Sequence, residues 1–174
     1  MIKVLGIKII DRIKEAGLTQ EILSRHSNAI TTRLGFHELS DDVCSREACI
    51  ILHMNDNKAD TEKLAEELEP LGGIVIKEML FSSSGKEVHE KDDDGAAALL
   101  GILIPGDYEI VKSVQKILTS YGCCIRTRLG INETFYGEPA GLIILELTGD
   151  NKQRVLLERD LKTLKQVHVR KMVF

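Results

Sequence analysis

Two arginines carry most of the chemistry that this chain of 174 residues offers. Arg33 stands in "ITTRLGFHE" (30–38) and Arg128 in "IRTRLGINE" (125–133). Each follows a Thr, precedes Leu-Gly, and is followed three residues beyond that glycine by a glutamate, Glu38 or Glu133. A planar guanidinium can hold a carboxylate through two parallel hydrogen bonds. A neighbouring glycine lets a ligand or another backbone come close. Arg33, Gly35 and Glu38, with Arg128, Gly130 and Glu133, are therefore candidate ligand-binding residues. The competing assignment is that each arginine pairs with Glu38 or Glu133 where the two copies of the motif meet. If the motif is a strand, period-two alternation sets Ile30, Thr32 and Leu34 on one face and Thr31, Arg33 and Gly35 on the other. The leucine then points inward, and the arginine emerges on the open face of a sheet.

The elements that must position these arginines repeat as well. Gly35 and Gly130 are 95 positions apart, and the same offset aligns Leu5-Gly6-Ile7 with Leu100-Gly101-Ile102, and Gln20, Ile22 and Leu23 with Gln115, Ile117 and Leu118. Past the motif the offset becomes 93, matching Ile50-Ile51-Leu52 to Ile143-Ile144-Leu145, and Met79 and Phe81 to Met172 and Phe174. A single two-residue change, falling in a polar loop, is what a duplicated unit tolerates. In the second copy "AALLGILI" reads as a buried strand, and "GDYEIVKSVQKILTSYG" has apolar residues at helical spacing with a closing glycine. "CCIRTRLGI" and "GLIILEL" read as strands, and "DNKQRVLLERDLKTLK" as a helix capped by Asp150. "QVHVRKMVF" is a final strand, with Val167, Val169 and Val173 toward the helices and His168, Arg170, Met172 and Phe174 on the open side. The first copy gives the same β-α-β-β-α-β order. The predicted fold is α+β, with two tandem ferredoxin-like units, antiparallel sheets and the second and fourth strands at the edges. Residues 1–81 and 97–174 form the repeats, and 82–96, rich in Ser, Gly and charge, the linker.

Composition narrows the function. With 43% hydrophobic and 29% charged residues the chain is globular. A net charge of −4, a pI of about 5.8 and 4% aromatics disfavour direct nucleic-acid binding. "MIKVLGIKII" lacks a cleavage site and "GAAALLGILIPG" is too short to span a bilayer, so a cytoplasmic protein without membrane association is expected. No nucleophile elbow and no phosphate-binding glycine loop is spelled, and the expectation is a non-enzymatic protein.

The order of elements, and "RLG" followed by a polar hairpin and a strand such as "GLIILEL", resembles the small regulators encoded with iron-only hydrogenase systems. These are single ferredoxin-like units grouped with ACT domains and with the ligand domain of the nickel-responsive regulator. The chain is similar to two such ACT-like units in tandem. The resemblance implies regulation by a small ligand or a regulatory protein partner, and homo-oligomerisation. It also draws attention to Gly106 in "IPGDYE", where ACT domains place a Pro-Gly turn near an effector. A simple turn and helix start is the alternative. His37, Cys44, Cys49 and His53 lie near one hairpin and make a transition-metal- or redox-responsive sensor the other functional class. No cofactor is indicated.

Overall fold

The computed structural model describes residues 1–37, 45–82 and 98–174. The chain divides into two compact units, essentially Ile2–Leu80 and Phe81–Val173. The first unit runs β1 (Ile2–Ile9), α1 (Arg12–Arg25), β2 (Ile30–Phe36), β3 (Ala48–Met54), α2 (Lys58–Leu68) and β4 (Ile74–Phe81). The second runs β5 (Leu99–Pro105), α3 (Tyr108–Ser120), β6 (Ile125–Phe135), β7 (Glu138–Leu147), α4 (Asn151–Lys162) and β8 (His168–Met172). Each unit has one four-stranded sheet, ordered β2-β3-β1-β4 and β6-β7-β5-β8. The fold is α+β, two tandem ferredoxin-like units, with the first and third strands of each copy inside and the second and fourth at the edges.

Each helix begins where a short polar side chain satisfies the orphan amides of the first turn. Asp11 accepts from Ile13 N at 3.2 Å, Asp107 from Glu109 N at 2.8 Å and Asp150 from Lys152 N at 2.9 Å. Asn57 accepts from Asp60 N in the same way. The helices then bury one stripe against one face of their sheet. In the first unit Leu5, Ile7 and Ile9 meet Ile22, Leu23, Ile50, Leu52, Leu64 and Leu68. In the second, Leu100, Ile102 and Ile104 meet Leu118, Ile143, Leu145, Leu157 and Leu161. The two cores match position by position. Burying each such side chain contributes about 1.5–3 kcal/mol.

Between the first helix and second strand of each unit lies a 3₁₀ turn, Ser27–Ala29 or Gly122–Cys124. Its last residue is buried, Ala29 in one copy and Cys124 in the other. Both side chains are small, and Cys serves as a small hydrophobe.

The last strand follows its alternation. Val169 lies opposite Ile102 on the helix side, whereas His168 and Met172 lie opposite Leu103 and Leu99 on the other face. The hairpin of the second copy differs from the predicted loop. β6 continues to Phe135 and β7 starts at Glu138, leaving only Tyr136 and Gly137 in the turn, at φ 56° and 83°. Positive φ at both positions matches the right-handed strand twist. The sequence signal was weak because Tyr, rather than Asn or Asp, precedes the glycine.

A second left-handed residue distinguishes the copies. The turn before the last strand passes through Gly73 at φ 83° in the first unit and through Gln166 at φ 70° in the second. A side chain in that region costs about 1–2 kcal/mol. Gln166→Gly is expected to raise the thermal midpoint by roughly 2–4 °C, about 1 kcal/mol for a chain of this size. A calorimetric scan showing an unchanged or lower midpoint would mean that Gln166 is not strained.

Candidate functional site

The site begins with one extra residue. β2 pairs with β3 as Ile30 opposite Met54, and then as Thr32 opposite His53. β6 pairs with β7 as Ile125 opposite Leu147, and then as Thr127 opposite Glu146. A bulge therefore falls at the same place in both copies, with Thr31 and Arg126 as the additional residues. Ile30 and Ile125 pack on the helix-side cores. Beyond the bulge every side chain is re-aimed. Arg33 stands opposite Leu52 and Arg128 opposite Leu145, both members of those cores. Leu34 and Leu129 stand opposite Ile51 and Ile144 on the other face. This corrects the expected geometry: the arginines lie on the helix-bearing face of each sheet rather than the open one, and the leucines point away from the helices. Strict alternation counted from Ile30 fails because the bulge shifts parity by one.

On an edge strand, a long side chain on this face projects past the core toward the first helix. Arg33 Nη2 donates to Gln20 Oε1, and Arg128 Nη1 donates to Gln115 Oε1 at 2.9 Å. The backbone carbonyl of each glutamine accepts from a hydroxyl one turn on, Ser24 Oγ and Thr119 Oγ1, both at 2.8 Å. Gly35 and Gly130 share the arginines' face, and a Cβ at either would meet nothing within 4 Å. The rim is thus an exposed Arg and Gly with a Gln in each unit, Gln20 exposed and Gln115 half-buried.

The glutamates belong elsewhere. Glu133 is five residues from Arg128 along a strand without further slips, so it occupies the opposite face, across from Ala140. Glu38 lies outside the described residues. Gln20 and Gln115 were not among the expected site residues. The signal was present, since each precedes its arginine by 13 positions in both copies.

On the opposite face of β6, Thr127 Oγ1 donates to Glu146 Oε2 at 2.6 Å, and Arg126 Nη1 lies 3.2 Å from Glu146 Oε1. Arg126 also donates to Thr148 Oγ1 at 3.0 Å. Glu146 is a buried carboxylate held by charge and hydroxyl together, which offsets its desolvation.

Gly106 has a packing reason. A Cβ there would lie 2.8 Å from the carbonyl oxygen of Pro139. The turn into α3 is pressed against the start of β7. In the first unit the counterpart of Pro139 is Arg46, whose carbonyl accepts from Arg12 N at 2.7 Å and whose guanidinium pairs with Asp11. That pairing holds the Asp11 carboxyl below its usual range.

Cys49 and His53 share one face of β3, as their even spacing predicts, His37 is exposed, and Cys44 lies outside the described residues. Among the described residues no three or more His, Cys, Asp or Glu side chains converge as metal ligands. Cys123 is exposed and Cys124 buried. Burial pushes the Cys124 thiol up, which makes it a poor nucleophile.

A latch joins the two helices of each unit. His26 Nε2 lies 2.9 Å from Glu67 Oε1, and at the matching positions Tyr121 Oη donates to Asp160 Oδ2 at 2.5 Å. The hydrogen bond from His26, with Arg25 and the imidazole charge helping against partial desolvation, holds Glu67 below the ordinary carboxylate range.

No family model matches the sequence, and no curated protein does. Among solved structures, an uncharacterised protein from Thermotoga maritima is 22% identical, over 47% of this chain and 96% of that chain, at a TM-score of 0.40. An unknown protein from Galdieria sulphuraria is 16% identical over 99% and 98%, at 0.35. The acetolactate synthase small subunit from Thermotoga maritima is 9% identical over 100% and 99%, at 0.36. At such scores these likenesses assign no function, and the fold stands on the strand order and register above. Among the described residues no helix is long and apolar enough to cross a membrane.

Two outcomes follow from this geometry. Gly106→Ala must displace the Pro139 carbonyl and is expected to cost about 1–3 kcal/mol in denaturant unfolding. Wild-type stability would show that the turn yields freely. Glu67, with its pKa depressed in the folded state, stabilises above its ordinary value near 4.5, and that contribution fades as pH falls through the lower folded value. Glu67→Gln should therefore be less stable than wild type at pH 7, with the gap closing below about pH 4. A gap independent of pH would assign the loss to packing.

Proposed function

We propose that the chain is a non-enzymatic regulatory module that senses a small ligand, with one site on the rim of each ferredoxin-like unit. The observation that carries this reading is the doubled Arg–Gln–Gly rim. In each copy an exposed guanidinium is steered by a neutral amide, beside a glycine with open space in front of it. A neutral partner leaves the arginine's charge uncompensated, unlike the ion pairs formed by Arg25, Arg46 and Arg126. The ligand's presence is transmitted through association, either homo-oligomerisation or contact with a regulatory protein partner in the cytoplasm. A tie to a hydrogenase or another metabolic system rests on the Arg-Leu-Gly resemblance. The expected linker at 82–96 lies, apart from Ser82, outside the described residues, and each unit carries its own rim.

A thermal-shift screen of amino acids, nucleotides and carboxylates on wild type and on Arg33→Ala, Arg128→Ala tests this. At least one compound is expected to raise the wild-type midpoint by several degrees and the double variant's by much less, as mass action requires for a ligand that binds only the folded state. Equal shifts in both proteins would remove the rim sites.

A further inference from the structure

We infer that the rim sites take an oxyanion, carboxylate or phosphate, through a two-residue donor surface in which Gln20 and Gln115 serve beside Arg33 and Arg128. The inference rests on the rim reading above and names its ligand class. A guanidinium has five N–H donors and no acceptor. The glutamine atom that meets it must be the carbonyl oxygen, as it is in both copies. That bond fixes the flip of the amide. With Oε1 turned to the arginine, the two Nε2 hydrogens are presented next to the guanidinium, whose remaining N–H groups point away from the glutamine. Apart from the second lone pair of Oε1, the groups the dyad offers outward are then donors. A ligand with acceptors alone fits such a surface, and a cation or a donor-rich neutral compound does not.

The surroundings agree. The positions one turn from Gln20 on α1 are Ala16, Gly17, Leu23 and Ser24, none of them charged. Those around Gln115 on α3 are Val111, Lys112, Leu118 and Thr119, where the single charge is positive. On the strands, Arg33 is flanked on its own face by Gly35, and Arg128 by Gly130. In a chain of net charge −4, neither rim has a carboxylate at these neighbouring positions to compete with a ligand anion. Glycine at the flanking position leaves room for the second oxygen of a carboxylate or the outer oxygens of a phosphoryl group.

The test uses the full chain in two-dimensional ¹H–¹⁵N NMR, titrated separately with inorganic phosphate and with succinate at pH 7 and fixed ionic strength. The arginine Nε–H and glutamine side-chain signals are followed. Saturable shifts of both sets are expected in wild type. Gln20→Glu, Gln115→Glu, nearly identical in shape, should bind at least tenfold more weakly, because a carboxylate takes the arginine for itself and offers no donor. A stronger response to phosphate assigns a phosphoryl ligand and a stronger response to succinate a carboxylate; either supports the oxyanion class. Undiminished anion binding in the Gln→Glu chain overturns the role of the glutamines. If neither anion moves the arginine signals while a neutral or cationic compound from the screen does, the ligand class falls and the rim reading survives. If no compound moves them, both fall.

Discussion

The β-bulge at the start of β2 and β6 is the constraint on which the rest of each unit depends. The chain leaves the first helix through a 3₁₀ turn and must at once deliver Ile30 or Ile125 to the helix-side core. Without an extra residue the following strand would keep that phase, sending Thr32 and Leu34 under the helices and Arg33 to the opposite face. Inserting Thr31, or Arg126, reverses the phase. Thr127 can then meet the buried Glu146, Leu34 and Leu129 join the second face, and the arginine is left on the helix side of an edge strand. A core position at one end and a rim position at the other are thus reconciled by one residue, since a bulge re-aims the side chains beyond it.

The two units hold this geometry constant while their buried polar chemistry differs. Leucines and isoleucines of the core occupy matching positions, and Ala29 and Cys124 solve the same packing problem. The helix latch changes from His26–Glu67 to Tyr121–Asp160, and the buried polar residue on the third strand from His53 to Glu146. The turn residue changes from Gly73 to Gln166. The rim does not change: Arg, Gln and Gly recur with the same contacts. Packing requirements explain the constancy of the cores, whereas the rim lies outside them.

Much of the fold was legible in the residues. Apolar stripes, Asp and Asn before each helix, and the internal offsets of 95 and 93 are local signals that agree with one another, which is the condition under which pattern reading works. The edge position of the second strand followed from chain-crossing rules alone. What failed was parity. A bulge adds one residue without leaving a Gly or Pro to mark it, and every orientation downstream is inverted. The hairpin at Tyr136–Gly137 was obscured for a similar reason, since a tyrosine in the left-handed region carries no turn signature. Gln20 and Gln115 were visible as a repeat but not as partners of the arginines. Thirteen residues and a helix-to-strand transition separate each pair, and only the register brings them together.

Energetics separate the rim from the scaffold. An exposed hydrogen bond between a guanidinium and an amide contributes on the order of 1 kcal/mol, from which the cost of ordering two long side chains must be subtracted. The latches and the Glu146 cluster join different elements across partly buried ground, and removing one partner there leaves a polar group stranded. Removing Arg33 or Arg128 strands little that water cannot solvate, because Gln20 is exposed and Gln115 only half-buried. The fold therefore draws little of its stability from the one feature it repeats most closely outside the core. An interaction that does little for folding is reproduced in both units by the same bulge, the same helix position and the same open glycine, and the packing of the two cores does not require it.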